Sequence, residues 1–231
     1  MPRPPQLSPA VASLKGSVYS SVLHRLAAWG GEVYPLHVGD TFLEPVEGCR
    51  LEDFPLADHP GVNRYAPPQG LPALVDAVVD RLRARTGVPL ERENVFVTGG
   101  ATSGLASIVG AVVSPGEEVL LLAPHWPLIE GHVRMAGGVS VDVPFFGAAS
   151  SPETAVAAVE AVLTSRTVAL YVNTPSNPTG LVIPRPWLEA LAAWARRRDL
   201  WLLFDEVYED YVYRGQHVPG LSLAPERSFG D

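Results

Sequence analysis

Short apolar segments alternate with longer amphipathic segments from residue 95 to residue 204, and this alternation is the feature that most constrains the fold. Some of the short segments are apolar at every position, for example LWLLF at residues 200–204. A strand that is apolar on both faces must be covered on both faces, as in a parallel sheet with helices above and below it. The sequence therefore predicts an α/β fold of three layers, α/β/α, around a mostly parallel sheet.

The individual elements follow from periodicity and from the residues that begin or end them. Gly99-Gly100 precedes one helical segment, Gly137-Gly138 ends another, and Ser151 is a typical N-cap. Strands are predicted at residues 33–38, 95–97, 118–122, 139–143, 168–172 and 200–204. Helices are predicted at residues 16–28, 70–86, 101–113, 126–135, 152–163 and 184–198. Residues 41–68 are rich in Pro, Gly, Asp and Glu, which indicates a loop.

We also expect the chain to divide into two parts between residues 45 and 46. We expect residues 1–45 to form an N-terminal arm and part of a small domain. We expect residues 46–231 to form one large α/β domain that contains the predicted parallel sheet.

Charge and composition exclude several classes of function. The net charge is −8 and no long basic stretch exists, which excludes general nucleic-acid binding. No segment approaches the roughly 20 apolar residues of a membrane span, and the proline-rich N-terminus is not a secretory signal. The single cysteine, Cys49, excludes an internal disulfide framework and favours a reducing compartment. We therefore expect a cytoplasmic protein without a metal site.

Polar residues follow the predicted strands at the edge where open parallel sheets bind ligands. Gly99 to Thr102 at a helix start is either a tight turn or an anion site. Trp126 is either a packing residue or a platform for a ring, and Asn177 is either a turn former or a hydrogen-bonding group. Asp205 follows an apolar strand, so its carboxylate needs a cationic or donor partner.

Together these residues describe a site for a flat, phosphorylated, aromatic cation. A phosphate would bind at the helix start, a ring would stack on Trp126, and Asp205 would pair with a protonated ring nitrogen. Asn177 and Tyr208 can both hydrogen-bond a phenolic oxygen on that ring. This combination indicates pyridoxal 5′-phosphate (PLP), whose protonated ring stabilises a carbanion at a substrate Cα.

Four segments resemble the motifs of the class I/II aminotransferases, which are PLP enzymes of the aspartate-aminotransferase fold. They are "NRYAPPQGLPALVDAV", "TGGATSG", "NTPSNPTG" and "FDEVYEDY", in that order. The resemblance implies that Asp205 pairs with the pyridine nitrogen and that Asn177 and Tyr208 bind the 3′-oxygen. It also implies the remaining contacts, with Trp126 stacking on the ring and Gly100, Ala101 and Thr102 holding the phosphate.

The resemblance carries further expectations. Tyr65 would reach the phosphate of a partner subunit, which implies a homodimer, and Gly39 would lie near the substrate carboxylate. Cis peptides are implied at Ala123–Pro124 and Asn177–Pro178. The implied activity is transfer of an amino group between an amino acid and a 2-oxo acid.

One departure from the family pattern is large. The family links PLP to a lysine that also serves as the base at Cα, whereas the only lysine of this chain is Lys15, in the predicted arm. We therefore expect no catalytic residue within the 231 residues, a Schiff-base lysine beyond Asp231, and a sequence that is part of a longer protein.

The sequence is compatible with three other interpretations. A nucleotide-binding Rossmann domain would use Gly99, Gly100 and Gly104, although their spacing is not Gly-x-Gly-x-x-Gly. A non-catalytic protein that keeps a PLP pocket is a second possibility. A PLP-dependent lyase, decarboxylase or ring-forming synthase on the same scaffold is a third.

Overall fold

A parallel four-stranded sheet is the centre of the fold in a computed structural model that describes residues 6–12, 18–34 and 43–223. The strands lie in the order β2-β1-β3-β4, and each neighbouring pair is parallel. Their bounds are β1 (Glu118–Ala123), β2 (Val139–Pro144), β3 (Thr167–Asn173) and β4 (Trp201–Asp205). In the β3–β4 ladder Asn173 lies opposite Asp205, so the two polar strand ends are neighbours.

Seven α-helices lie within the described ranges. They are α1 (Pro9–Ala12), α2 (Val18–Ala28), α3 (Pro72–Thr86), α4 (Ala101–Val112), α5 (Leu128–Met135), α6 (Pro152–Glu160) and α7 (Arg185–Arg197). Helix α6 begins as its sequence predicts, because the Ser151 hydroxyl accepts the Thr154 N–H and closes a capping box.

Successive side chains of the central strands point to opposite faces of the sheet, and helices cover both faces. Val119 and Leu121 pack with residues of α4 and α5, whereas Leu120 and Leu122 pack with residues of α6 and α7. These four strand residues are at most 2% exposed. The predicted α/β fold of three layers, α/β/α, with a parallel sheet is therefore confirmed.

The chain separates into two units by its internal contacts. The larger unit contains the sheet and comprises Met1–Leu14 with Gln69–Asp231, and the smaller comprises Lys15–Pro68. Within the larger unit α1 lies against α5. The smaller unit contains α2 and two short 3-10 turns, at Leu51–Asp53 and Leu56–Asp58. The predicted domain division at residue 45 stays a prediction.

Most predicted elements are present, with small differences at their ends. The helix predicted from residue 126 begins at Leu128, because Pro127 disfavours helical geometry for the residue before it. The helix predicted at 152–163 ends at Glu160. The strand predicted at 33–38 is absent at Val33 and Tyr34, and its remaining residues lie outside the described ranges.

The strand predicted at residues 95–97 is wrong for the described part of the chain. Val95 has extended backbone angles, and the Val97 N–H donates to the Gln69 carbonyl at 2.8 Å. No described strand forms a ladder with this segment. An apolar, extended segment becomes a strand only where a partner supplies the ladder, and local sequence does not reveal the partner.

A buried carboxylate fixes the start of β1 to the turn before β3. Glu118 is 3% exposed, and it accepts hydrogen bonds from the Thr164 hydroxyl, the Thr167 hydroxyl and the Arg166 guanidinium. Burial acts to raise the pKa of Glu118, but these donors and the Arg166 charge outweigh it and hold the pKa below its ordinary value. Glu118 is therefore ionised in the folded chain.

Candidate functional site

Three strand ends and one helix start meet around a single cavity at the carboxyl edge of the sheet. Its volume is about 170 Å³, and its lining residues are Ala101, Thr102, Leu105, Trp126, Asn173, Asn177, Asp205, Val207 and Tyr208. Six of these nine residues are ones for which the sequence predicts contacts with a cofactor; the structure brings them to one cavity, and the contacts stay a prediction. The volume is below the roughly 300–1,000 Å³ of enclosed small-molecule sites. The described residues therefore form an open surface against which a ligand can lie.

Asp205 is the buried charge of this cavity. Its side chain ends β4 and is 8% exposed. Oδ2 accepts the Tyr171 hydroxyl at 2.6 Å, and Oδ1 accepts the Val207 N–H at 3.2 Å. Among the described residues no cationic side chain forms an ion pair with Asp205. A carboxylate buried beside a cavity without a cation can stabilise a cationic ligand there.

Two asparagines at the end of β3 form the next part of the wall. The Asn173 side-chain amide donates to the Asp205 carbonyl at 3.0 Å, and its Oδ1 accepts the Asn177 N–H at 2.7 Å. Asn173 therefore fixes Asn177 relative to the end of β4. The expected cis peptides at Ala123–Pro124 and Asn177–Pro178 are confirmed, and a third lies at Thr174–Pro175.

The start of α4 has the properties of an anion site. Gly100 is the N-cap, so no side chain caps the helix, and no acidic residue lies in its first turn. Within the described chain the N–H groups of Ala101 and Thr102 have no recorded acceptor. Free N–H groups and the positive end of the helix dipole favour a phosphate. Gly100 does not line the cavity itself, but it sets the direction of these N–H groups.

Trp126 stands at the end of β1 and forms the side of the cavity nearest α5. Its ring lies 5.9 Å from that of His132 between centroids, tilted by 49°. Burial lowers the pKa of His132, so this ring is neutral at neutral pH. A neutral neighbour does not repel a cationic ring that stacks on the indole.

Tyr208 lies on a turn that follows β4. Ion pairs connect this turn to α3. Arg81 and Arg85 form ion pairs with Glu209 and Asp210, at N–O distances from 2.8 to 3.7 Å. These four side chains are partly or largely exposed. They hold the turn at the cavity from outside it.

The remaining predicted residues are Tyr65 and Gly39. Tyr65 belongs to the smaller unit and is fully exposed, and its proposed contact with a partner subunit stays a prediction. Gly39 lies outside the described residues.

His125 faces Asp142 (Nε2–Oδ1 3.0 Å) beside a separate cavity of about 420 Å³. That larger cavity does not contain Asp205 or the α4 start.

Sequence reasoning missed two polar residues of the site. Tyr171 and Asn173 both lie within β3 and are buried. Each was a polar side chain in an apolar strand, and a buried hydroxyl or amide needs a partner. That signal marks the residues but does not name the partners, which depend on the β3–β4 register.

The family profile of aminotransferase class I and II matches residues 35–228. The chain belongs to this family. A probable aspartate/prephenate aminotransferase of Thermus aquaticus is 42% identical over 171 residues, which cover 73% of this chain and 44% of that protein. The aspartate/prephenate aminotransferase of Thermus thermophilus is 40% identical over 171 residues, with 73% and 43% covered.

Solved aminotransferase structures have the same fold. Aspartate aminotransferase from Thermus thermophilus with maleate gives a TM-score of 0.80 at 33% identity, covering 96% of this chain and 58% of that one. Alanine aminotransferase from Pyrococcus furiosus gives 0.81 at 29% identity, covering 94% and 56%. The chain spans less than half the length of the two Thermus relatives. The aminotransferase family is PLP-dependent, and no helix in the described ranges has the length and apolar character of a bilayer span.

We expect Gly100→Ala to weaken PLP binding by about tenfold, from strain of roughly 1.4 kcal/mol. Gly100 has φ 82° and ψ 168°, a conformation that is essentially restricted to glycine. A Cβ here has no neighbour within 4 Å, so backbone strain alone would move the N–H groups of α4. A fluorescence titration with PLP measures the effect.

Gly99→Ala is the matched control. The added Cβ of residue 99 would come no closer than 3.4 Å to Ser103 Oγ, and φ there is not in the left-handed region. Its affinity should stay within about twofold of the parent chain. Equal losses in both variants would show that the conformation of Gly100 does not set the anion site.

Proposed function

We propose that the protein carrying this sequence is a PLP-dependent aminotransferase that moves an amino group between an amino acid and a 2-oxo acid. The observation that supports it most is the buried Asp205 carboxylate, which shares one cavity with the uncapped start of α4. A buried anion beside a helix start matches the two ends of PLP, a basic ring nitrogen and a phosphate. The residues present therefore fit the cofactor.

Each wall of the cavity would hold one part of the cofactor. Ala101 and Thr102, with the turn at Gly100, would hold the phosphate, and Trp126 would stack on the ring. Asp205 would keep the ring nitrogen protonated, because a nearby negative charge favours the protonated form. Asn177 and Tyr208 would hydrogen-bond the 3′-oxygen. When bound, PLP supplies the electron sink that stabilises negative charge at a substrate Cα.

The substrates and assembly are part of the same proposal. The relatives' names make aspartate and prephenate the first substrates to test. A common 2-oxo acid, 2-oxoglutarate, serves as a general acceptor in the assay. Gly39 would lie near the substrate carboxylate. Tyr65 would reach the phosphate of a partner subunit, which extends the proposal to a homodimer. We place the protein in the cytoplasm on its composition and its single cysteine.

We expect the 231-residue chain to bind PLP but not to transfer amino groups. Its only lysine is Lys15, outside the described residues, and no side chain lining the cavity has an amine to bond the aldehyde. Binding is measured by tryptophan fluorescence, and transfer by glutamate formed from aspartate and 2-oxoglutarate. Borohydride treatment with PLP, followed by peptide mapping, should give no stoichiometric adduct at Lys15.

The protein at its full natural length should perform the transfer, and that assay is the direct test of the proposed function. A full-length protein that binds PLP but transfers nothing from any amino acid would favour a pocket-only protein. Release of carbon dioxide or elimination of a substrate group without transfer would favour a decarboxylase or lyase. A stoichiometric adduct at Lys15 that turns over would contradict the expected role of a different lysine.

A further inference from the structure

Tyr171 carries a hydroxyl group in the most deeply buried part of the sheet. The residue is 1% exposed, and its strand neighbours Leu170 and Val172 are fully buried. Its ring packs in the apolar cluster between the sheet and helices α4 and α5. Within the described part of the chain, its hydroxyl has one hydrogen-bond partner, Oδ2 of Asp205, at 2.6 Å. Burying a tyrosine in such a position costs more free energy than burying a phenylalanine, unless a hydrogen bond compensates for desolvation of the hydroxyl.

The direction of this hydrogen bond is fixed. The Tyr171 O–H is the donor, and Oδ2 of Asp205 is the acceptor. Burial, the hydrogen bond and the charge of Asp205 together raise the pKa of the Tyr171 hydroxyl above its ordinary range. The hydroxyl therefore keeps its proton at neutral pH.

The two oxygens of Asp205 are held from different sides. Tyr171 holds Oδ2 and the Val207 N–H holds Oδ1, while the Asn173 amide holds the backbone carbonyl of the same residue. With both oxygens held, the carboxylate plane cannot rotate freely about the Cβ–Cγ bond. Because Asp205 lines the cavity, its carboxylate is presented there in one orientation.

We propose that Tyr171 is a positioning residue that orients the Asp205 carboxylate toward the ring nitrogen of PLP. It acts through Asp205 and touches neither cofactor nor substrate. The inference rests on the proposed function, because it needs a cofactor with a basic ring nitrogen in this cavity. Tyr171 does not line the cavity, so its contribution cannot come from direct contact with the ligand.

The test compares two ligands in the 231-residue chain. One is PLP, and the other is an analogue in which carbon replaces the ring nitrogen, so only PLP can pair with Asp205. We expect Tyr171→Phe to weaken PLP binding by about tenfold, the usual effect of a hydrogen bond to a charged group. Affinity for the analogue should stay within about twofold. The dissociation constant of the analogue divided by that of PLP should thus fall about tenfold, toward unity.

Two further variants make the test specific. In an Asp205→Asn background, Tyr171→Phe should leave the ratio unchanged, because the two changes act on one interaction. Tyr213→Phe removes the same atom from a side chain that is 90% exposed, and it should change neither affinity. If Tyr171→Phe shows no cooperative melting transition, and is therefore not folded, Tyr171→Leu replaces it in the test. Residue 171 lies opposite Leu203 in the same apolar cluster, so a leucine suits this position.

The proposal would be overturned if this ratio of dissociation constants stayed constant or rose in Tyr171→Phe. Equal losses of affinity for both ligands would mean that Tyr171 contributes only to packing. If the parent chain binds both ligands equally well, Asp205 does not interact with the ring nitrogen. The proposal about Tyr171 then fails, although PLP binding itself is still supported. If the parent chain binds neither ligand, the cofactor site is refuted and this proposal with it.

Discussion

Replacing Asp205 by alanine should weaken PLP binding by about 100- to 1,000-fold. Truncating one partner of a buried, hydrogen-bonded charge pair costs roughly 2–5 kcal/mol, and Asp205 is the buried anion of the cavity. The Tyr171 hydroxyl would also lose its acceptor. Titration with PLP, followed by tryptophan fluorescence, measures the loss.

Two controls separate the charge from the shape of the cavity. Tyr208→Phe removes one neutral hydrogen-bonding group at a side chain that is 38% exposed, so PLP affinity should fall by no more than about tenfold. Inorganic phosphate should compete equally well in Asp205→Ala and the parent chain, because α4 binds it. Similar losses in Asp205→Ala and Tyr208→Phe would contradict the proposed role of the carboxylate.

Glu118→Gln should lower the free energy of unfolding by about 2–3 kcal/mol at pH 7. The carboxylate accepts three hydrogen bonds at the start of β1, and a bond to a charged group contributes roughly 1.5–3 kcal/mol. Glutamine keeps the shape but places an amide N–H₂ against donors. Urea denaturation of the two chains measures the difference.

The same variant should show a defined pH dependence. The folded-state pKa of Glu118 is below its ordinary value, so its stabilisation is complete above the unfolded pKa of about 4.3 and is lost as the pH falls through the folded pKa. The difference between the parent chain and Glu118→Gln should therefore be constant near neutrality and shrink below about pH 4. A gap that stays constant to pH 3 would exclude the ionised carboxylate as its source.

Glu189→Gln is the matched control for this experiment. Glu189 lies 3.5 Å from Arg185 one turn away on α7, and both side chains are more than half exposed. An exposed ion pair of this kind contributes about 0–1 kcal/mol. The control should therefore change the unfolding free energy far less than Glu118→Gln at the same pH.

The fold could be predicted wherever a segment's own pattern decides its structure. The apolar strands β1 and β3 match their predicted positions to within one residue at each end, because both faces of each strand are buried. The prediction failed at residues 95–97, where structure depends on a partner strand rather than on the segment. It was off by two residues at the start of α5, Leu128, where a proline outweighs the apolar periodicity.

The site could be predicted only in part, for a related reason. Asp205, Asn177 and Tyr208 follow strand ends, and the carboxyl edge of a parallel sheet brings such residues together whatever the register. Tyr171 and Asn173 lie inside a strand, so their partners depend on which residue of β4 lies opposite each one. The sequence shows that these polar groups need partners, but only the ladder identifies Asp205.

The ion pairs that attach the Tyr208 turn to α3 give the two sides of the cavity different responses to ionic strength. Arg81 and Arg85 meet Glu209 and Asp210 near solvent, where added salt screens charges over distances of about 8 Å at 0.15 M. Asp205 is held from inside the sheet by uncharged donors, on which salt has little effect. Concentrated salt would therefore loosen the hydroxyl-bearing turn and leave the carboxylate where it is.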